Sequence, residues 1–189
     1  MVRPGRWTFV AAVLPPIVVG LAGITHPQHL TQDASLFWRN LHVVFLPLLP
    51  LLALGPWLVA RSVDRKLGYA AAALGYVYAC FYTALDLLAG VGAGALKHEQ
   101  ASGVRVLFDL AADLGQVGSV AFIVATAVAA GCALSAARVH AIPGSVLVFL
   151  GAYGYMQEHV YWPGGVASMF ALATGWALLL LAIRRAAAG

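Results

Sequence analysis

Charge is scarce in this chain. Of its 189 residues only 10% are charged, with 11 Lys and Arg against 7 Asp and Glu, whereas 62% are hydrophobic. An ordinary soluble domain carries about 25% charged residues, and one this apolar would expose adhesive patches over much of its surface. A soluble globular fold is therefore excluded. Cysteine is equally sparse: Cys80 and Cys132 each fall inside an apolar run, which reads as two small core hydrophobes rather than a disulfide framework or a zinc finger. No glycine-rich loop opens a helix, so no nucleotide site is expected. Internal repeats, linkers and low-complexity tails are missing too. The net charge of +4 is no sign of nucleic-acid binding, because the basic residues stand where membrane anchors belong.

What the chain has in abundance is long apolar runs. A crossing needs about 20 apolar residues, and six stretches qualify: about 7–25, 35–60, 68–90, 104–137, 142–160 and 164–183. The expected fold is all-α, a polytopic integral membrane protein forming one domain over 1–189, a compact bundle of six transmembrane helices in the cell membrane. The first stretch could serve as a signal peptide. With Pro15-Pro16 inside it and no A-x-A site after it, it reads better as an uncleaved span. Prolines also punctuate the second stretch at Pro47, Pro50 and Pro56. The fourth is too long for one perpendicular crossing, so its first turns are expected at or above the headgroups, or the helix tilts. Small-residue stripes at Ala121, Ala125 and Ala129, and at Ala167, Ala171 and Gly175, suggest close helix contacts.

Basic residues set the orientation. With the N-terminus inside, Arg3, Arg6, Arg61, Arg65, Lys66, Arg138, Arg184 and Arg185 are cytoplasmic, and only Arg39, Lys97 and Arg105 lie outside. Both termini are then cytoplasmic. On this topology Asp33, Asp86, Glu99, Asp109, Asp113 and Glu158 fall on the outer half, with Asp64 the exception, and so do His26, His29, His42, His98 and His159, with His140 the exception. Each charge near the membrane centre costs about 3 kcal/mol, so three or four acids facing lipid would cost on the order of 10 kcal/mol. Gathering them into a shared interior removes most of that cost. The sequence thus predicts a polar pocket open to the outer face, walled by the second to fifth spans.

The stretch RVLFDLAADLGQ, from Arg105 to Gln116, stands out. Arg105, Asp109, Asp113 and Gln116 share one helical face where an apolar run begins. Asp109 and Asp113 suit a hard cation, a shared proton, or a salt-bridge partnership with Arg105 and Arg39. Tyr82 and Thr83 can hydrogen-bond Asp86, but no basic residue lies within a turn of it. His42, seven residues into its span, reads as a candidate ligand or as a satisfied core histidine. The pair in His26-Pro-Gln-His29 has a metal-compatible gap but reads first as an ordinary polar loop. The candidate assignments are acid–base chemistry for Asp86, Asp113 and Glu158; ligand binding for Arg39, His42, Tyr82, Asp109, Gln116 and His159; and metal coordination for His42, Asp109 and Asp113. The residues single out no cofactor: a divalent metal is one option, and haem between His42 and His159 a narrower variant.

The run LFDLAADLGQVG resembles the second half of the motif of CDP-alcohol phosphotransferases, six-span enzymes with a GxxxDxxxD element, and Asp86, Gly90, Ala93 and Gly103 fall at plausible offsets from that motif's start. The likeness covers fewer than 30 residues. Ala89 stands where a second metal-binding Asp is required and Gly94 where an Arg is required. Asp109 and Asp113 come two positions late, and the loop lies outside, whereas that family's site faces the cytoplasm. No activity is carried over on these terms.

Three functions remain open. The first is a pocket that binds a metal ion or small ligand, as in a transport component, for which so small a bundle would need a partner subunit or a homo-oligomer. The second is a membrane-embedded enzyme using carboxylate and histidine chemistry on a lipid-soluble substrate, which an extended apolar cavity beside the acids would favour. The third is an accessory subunit of a membrane complex. Beyond the lipid bilayer and such a ligand, no nucleic-acid partner is expected.

Overall fold

A computed structural model describes residues 1–188. They form helices joined by short turns: α1 (Arg6–Gly23), α2 (Ser35–Leu48), a 3-10 segment (Leu49–Ala53), α3 (Leu54–Val63), α4 (Arg65–Leu85), a π-helical segment (Asp86–Gly92), α5 (Ala93–His98), α6 (Val104–Ala137), a 3-10 turn (Arg138–Ala141), α7 (Ile142–Glu158) and α8 (Gly164–Ala186). Five continuous helical segments are long and apolar enough to cross a membrane: Arg6–Gly23, Ser35–Val63, Arg65–His98, Val104–Glu158 and Gly164–Ala186.

The fourth of these segments, at 55 residues, folds over on itself. Arg138 takes a left-handed φ of 51°, the 3-10 turn follows, and α7 runs back along α6. Pro143 sits in the first turn of α7, where its missing N–H costs nothing. The second segment keeps its helical course past three prolines by passing through 3-10 geometry at Leu49–Ala53. The third runs further than the 68–90 expected from hydropathy, because α5 continues it to His98.

Packing is tightest between α4 and α6 and between α7 and α8, with α1 laid on α8. Trp176, Tyr78, Tyr155, Phe45 and Phe122 are the largest fully buried side chains. Ala121, Ala125 and Ala129 are buried on α6, in keeping with their small-residue stripe. The stripe expected on α8 is displaced: Ala167 is exposed and Ala171 half-buried. The helix instead buries Met169, Leu172, Trp176 and Leu179, larger side chains that fill the space between α1, α3 and α7. The outward surface is also apolar, with Leu14, Leu21, Val43, Val44, Val120, Val124, Phe149, Leu150 and Leu181 all exposed. Helices apolar on every side suit hydrocarbon surroundings.

The ends of the bundle differ. One carries Arg61, Arg65, Lys66, Arg138, Arg184 and Arg185; the other carries the loops that hold His26, His98 and His159. At the basic end Asp64 caps α4, its Oδ1 accepting from the backbone N–H of Lys66 at 2.7 Å and Leu67 at 2.9 Å. The bond from Leu67, then that from Lys66, holds the carboxyl below the usual aspartate range. A depressed value means that the cap stabilises above the ordinary pKa and fades as pH falls through the lowered one. Asp64→Ala should therefore melt at a lower temperature than wild type in detergent at pH 7, with Asp64→Asn in between. The gap between wild type and Asp64→Ala should narrow as the pH is taken down through and below the ordinary aspartate range, which a pH series of thermal scans reads directly.

Candidate metal centre

Three histidines from distant parts of the chain meet at the end opposite the basic one. His26 follows α1, His42 lies in α2, and His159 follows α7. Each offers one ring nitrogen, and the three nitrogens lie within 4.8 Å of one another. His26 and His42 are buried and His159 is half-buried.

Backbone carbonyls decide which nitrogens point inward. His42 Nδ1 lies 2.7 Å from the carbonyl oxygen of Trp38, one turn back in α2. His26 Nδ1 lies 2.8 Å from that of Pro27. A carbonyl only accepts, so both Nδ1 atoms carry the proton and both Nε2 atoms present lone pairs. Those two Nε2 atoms face each other at 3.4 Å. The lone pairs of two neutral imidazoles repel at this distance, and a cation or a shared proton between them removes the repulsion. On His159 the Nδ1 is 2.7 Å from the Tyr82 hydroxyl, and its Nε2 is buried with no partner. A carbonyl or hydroxyl on one ring nitrogen, leaving the other free, is the usual outer-shell arrangement of metal-bound histidine.

Asp86 completes the charge pattern. It is wholly buried, neither carboxylate oxygen has a hydrogen-bond partner, and Oδ1 is 3.8 Å from His42 Nε2. An uncompensated buried carboxylate costs several kcal/mol. A cation held by the histidines would offset it. Asp86 stands at the first position of the π-helical segment, an irregularity that recurs at functional sites in helices.

The sequence shapes this centre with small residues and loop ties. Gly90, in the π-helical segment, lies against the His42 ring, and a Cβ there would overlap it. Gly23, at the end of α1, lets the chain approach the backbone of Val160, which draws the His26 loop to the His159 loop. The Gln28 side-chain amide donates to the Trp162 carbonyl across the same two loops, and the Trp38 indole N–H donates to the Ala89 carbonyl at 3.0 Å, fastening α2 to the π-helical segment. His159 itself takes φ 49° and ψ −128°, a strained conformation for a residue with a side chain, of the kind kept at functional sites. Burial holds the His26 pKa below its ordinary value, so its ring stays neutral and free to ligate.

Beside the cluster lies a cavity of about 340 Å³. Its walls come from α2, α4 with the π-helical segment, α6 and α7, the four spans expected to enclose a pocket. The lining is less polar than expected: Leu85, Ala89, Phe108, Ala111, Ala112 and Met156 join His42, Tyr82 and His159.

Several candidates stand elsewhere. Asp109 and Asp113 are exposed, and Asp109 pairs with Arg105 at 3.7 Å on the outside of α6. The helix turns Ala111, Gly115 and Gly118 inward instead, because only small residues fit against α4, so the carboxylates of this stretch are left outward. Of the candidate set His42, Asp109 and Asp113, His42 alone lies in the cluster with His26 and His159. Arg39 bonds its neighbour Asn40 and pairs with no acid among the described residues. Gln116 and Glu158 are exposed and line the cavity. His29 is exposed and joins nothing. His26 is the residue that spacing undervalued. Its only signal was a histidine beside proline just after an apolar run.

Among helical proteins this one is defined by a buried three-histidine cluster with an adjacent carboxylate, set in apolar helices. No known protein family, curated protein or solved structure gave a match to the chain.

Because Gly90 leaves the room that His42 occupies, Gly90→Val should cost about 1–3 kcal/mol through overpacking. Chemical unfolding in detergent measures it, and an unchanged midpoint would show that His42 sits elsewhere.

Proposed function

We propose that this is a membrane protein that binds a divalent transition-metal ion through His26, His42 and His159, with Asp86 balancing its charge. The observation that carries the reading is the pair of Nε2 atoms 3.4 Å apart, each turned inward by a carbonyl on its Nδ1. Ligands of a tetrahedral zinc, each about 2.0–2.1 Å from the ion, stand about 3.3–3.4 Å from one another, so this pair needs no movement. His159 needs a shift of about 1 Å or more, since the widest spacing in the set is 4.8 Å. All-imidazole donors favour zinc, copper, iron or nickel over calcium or magnesium. Three protein ligands leave a fourth position for water or a ligand oxygen, the pattern of catalytic rather than structural zinc. Asp86, with Oδ1 3.8 Å from His42 Nε2, would balance part of the charge of an ion held there.

The same reading takes the chain across the membrane six times, counting α6 and α7 separately, with both termini in the cytoplasm and the histidine end outside. The arginine-rich end supports this through the positive-inside rule. Tyrosine and tryptophan at the two ends would anchor it, and Arg61 lying 5.4 Å over the Trp57 ring is one such contact.

Purified protein should carry about one zinc-class ion per chain by elemental analysis. His26→Ala, His42→Ala and His159→Ala should each lower the affinity by tenfold or more, whereas Asp109→Asn and Asp113→Asn should retain the ion. Metal-free wild type that takes up no zinc, cobalt or nickel on dialysis would end the proposal. For the topology, His98→Cys and Ala187→Cys, each in a Cys80→Ser/Cys132→Ser background, should label with impermeant maleimide from opposite sides of the membrane. Labelling from one side only would refute six crossings.

A further inference from the structure

The cavity has a shape and a chemistry that the metal reading alone does not use. Phe108, Ala112, Gly115 and Ser119 recur at helical spacing along one face of α6 and form one wall; Leu85 and Ala89 form a second, and Met156 a third. One side of this apolar chamber is made by His42, His159 and Tyr82. Its polar lining also includes Gln116, Gln157 and Glu158, all exposed. Beyond that polar rim the outward residues on the same two helices are apolar: Val117, Val120 and Val124 on α6, and Phe149 and Leu150 on α7. The opening therefore lies where a polar surface gives way to one suited to hydrocarbon. The gap exists because α7 packs chiefly on α8 and meets α6 more sparsely, so the two helices stand apart at this end.

A metal ion alone needs no such chamber. At about 340 Å³ it falls within the range of small-molecule sites, about 300–1,000 Å³, which are mostly apolar with a few polar groups that fix orientation. Here those groups are His42, His159 and Tyr82. An occupant that matches has a polar end and an apolar body.

Resting on the metal reading, we infer that the cavity takes a single-chain amphiphile from the bilayer. An oxygen donor of its head completes the coordination of the ion on His26, His42 and His159, and its hydrocarbon lies against Leu85, Phe108, Ala112 and Met156. The fourth position on the ion is the point of attachment. The apolar walls supply the preference for a chain, because each methylene laid against them leaves water.

The test uses two hydroxamates as probes, which share a metal-binding head and differ in tail: acetohydroxamic acid and dodecanohydroxamic acid. Full-length protein loaded with cobalt is titrated with each at fixed detergent concentration, and the visible cobalt spectrum is read. Ala112→Trp narrows the chamber from α6 at a position that supplies no ligand, and Met156→Trp does so from α7; retained cobalt reports that each variant is folded and keeps its ligands. Wild type should respond to dodecanohydroxamic acid at a concentration at least tenfold lower than either variant requires, while acetohydroxamic acid acts on all three alike. Equal responses of wild type and variants to the long-chain probe would overturn the inference with the metal site intact. So would an equal loss of response to both probes, since the tryptophans would then be blocking the ion and not a chain. Failure of wild type to retain cobalt is a different result: it removes the metal reading, and this inference with it.

Discussion

The structure turns on an electrostatic constraint at one end of the bundle. Two imidazole lone pairs are pressed together at 3.4 Å, and a carboxylate without hydrogen bonds is buried beside one of them. Each feature alone is costly in a low-dielectric interior. Together they ask for positive charge in one small volume. A proton shared between the two rings would answer part of the demand; a divalent ion answers all of it and employs the free nitrogen of His159 as well. The carbonyls of Trp38 and Pro27 fix the ring tautomers so that this demand does not relax by a ring turning over.

The devices that build the centre are of three kinds. Regular helix supplies His42 and its Trp38 carbonyl one turn away. A departure from regular helix supplies Asp86, at the start of a π-helical segment whose Gly90 makes room for His42. Loops supply His26 and His159, drawn together by the bare backbone at Gly23 and by Gln28 reaching Trp162. Rings fill the space around them: His26 meets Trp38 and Tyr161 edge-on at 4.8 and 4.6 Å. Such close aromatic packing restricts the imidazoles to few orientations, which is what preorganised ligation requires.

The helical class was legible in composition, because runs such as Val104–Ala137 admit no other reading at their length. Segregation of the acids and histidines toward one end was legible too, and so were the four helices that wall the cavity. What periodicity could not show was which face of α6 turns inward. Asp109 and Asp113 attract attention as carboxylates near an apolar run, yet the inward face is set by Ala111, Gly115 and Gly118, whose lack of bulk admits α4. Nor could spacing show the approach of His26 to His159, which depends on backbone contacts of Gly23 made far along the chain. The π-helical segment leaves no mark in hydropathy: Asp86 and Gly90 read as one helical turn, and only the structure shows that their spacing has been stretched.

The three histidines belong to the beginning and the end of the chain, with the long α4–α6 hairpin between them. During synthesis His26 and His42 emerge early, but the contacts that place His26, at Val160 and Trp162, and the third histidine come only after α7 has been made. Assembly of the cluster is in this way a late event that ties the first two hydrophobic segments to the loop between α7 and α8.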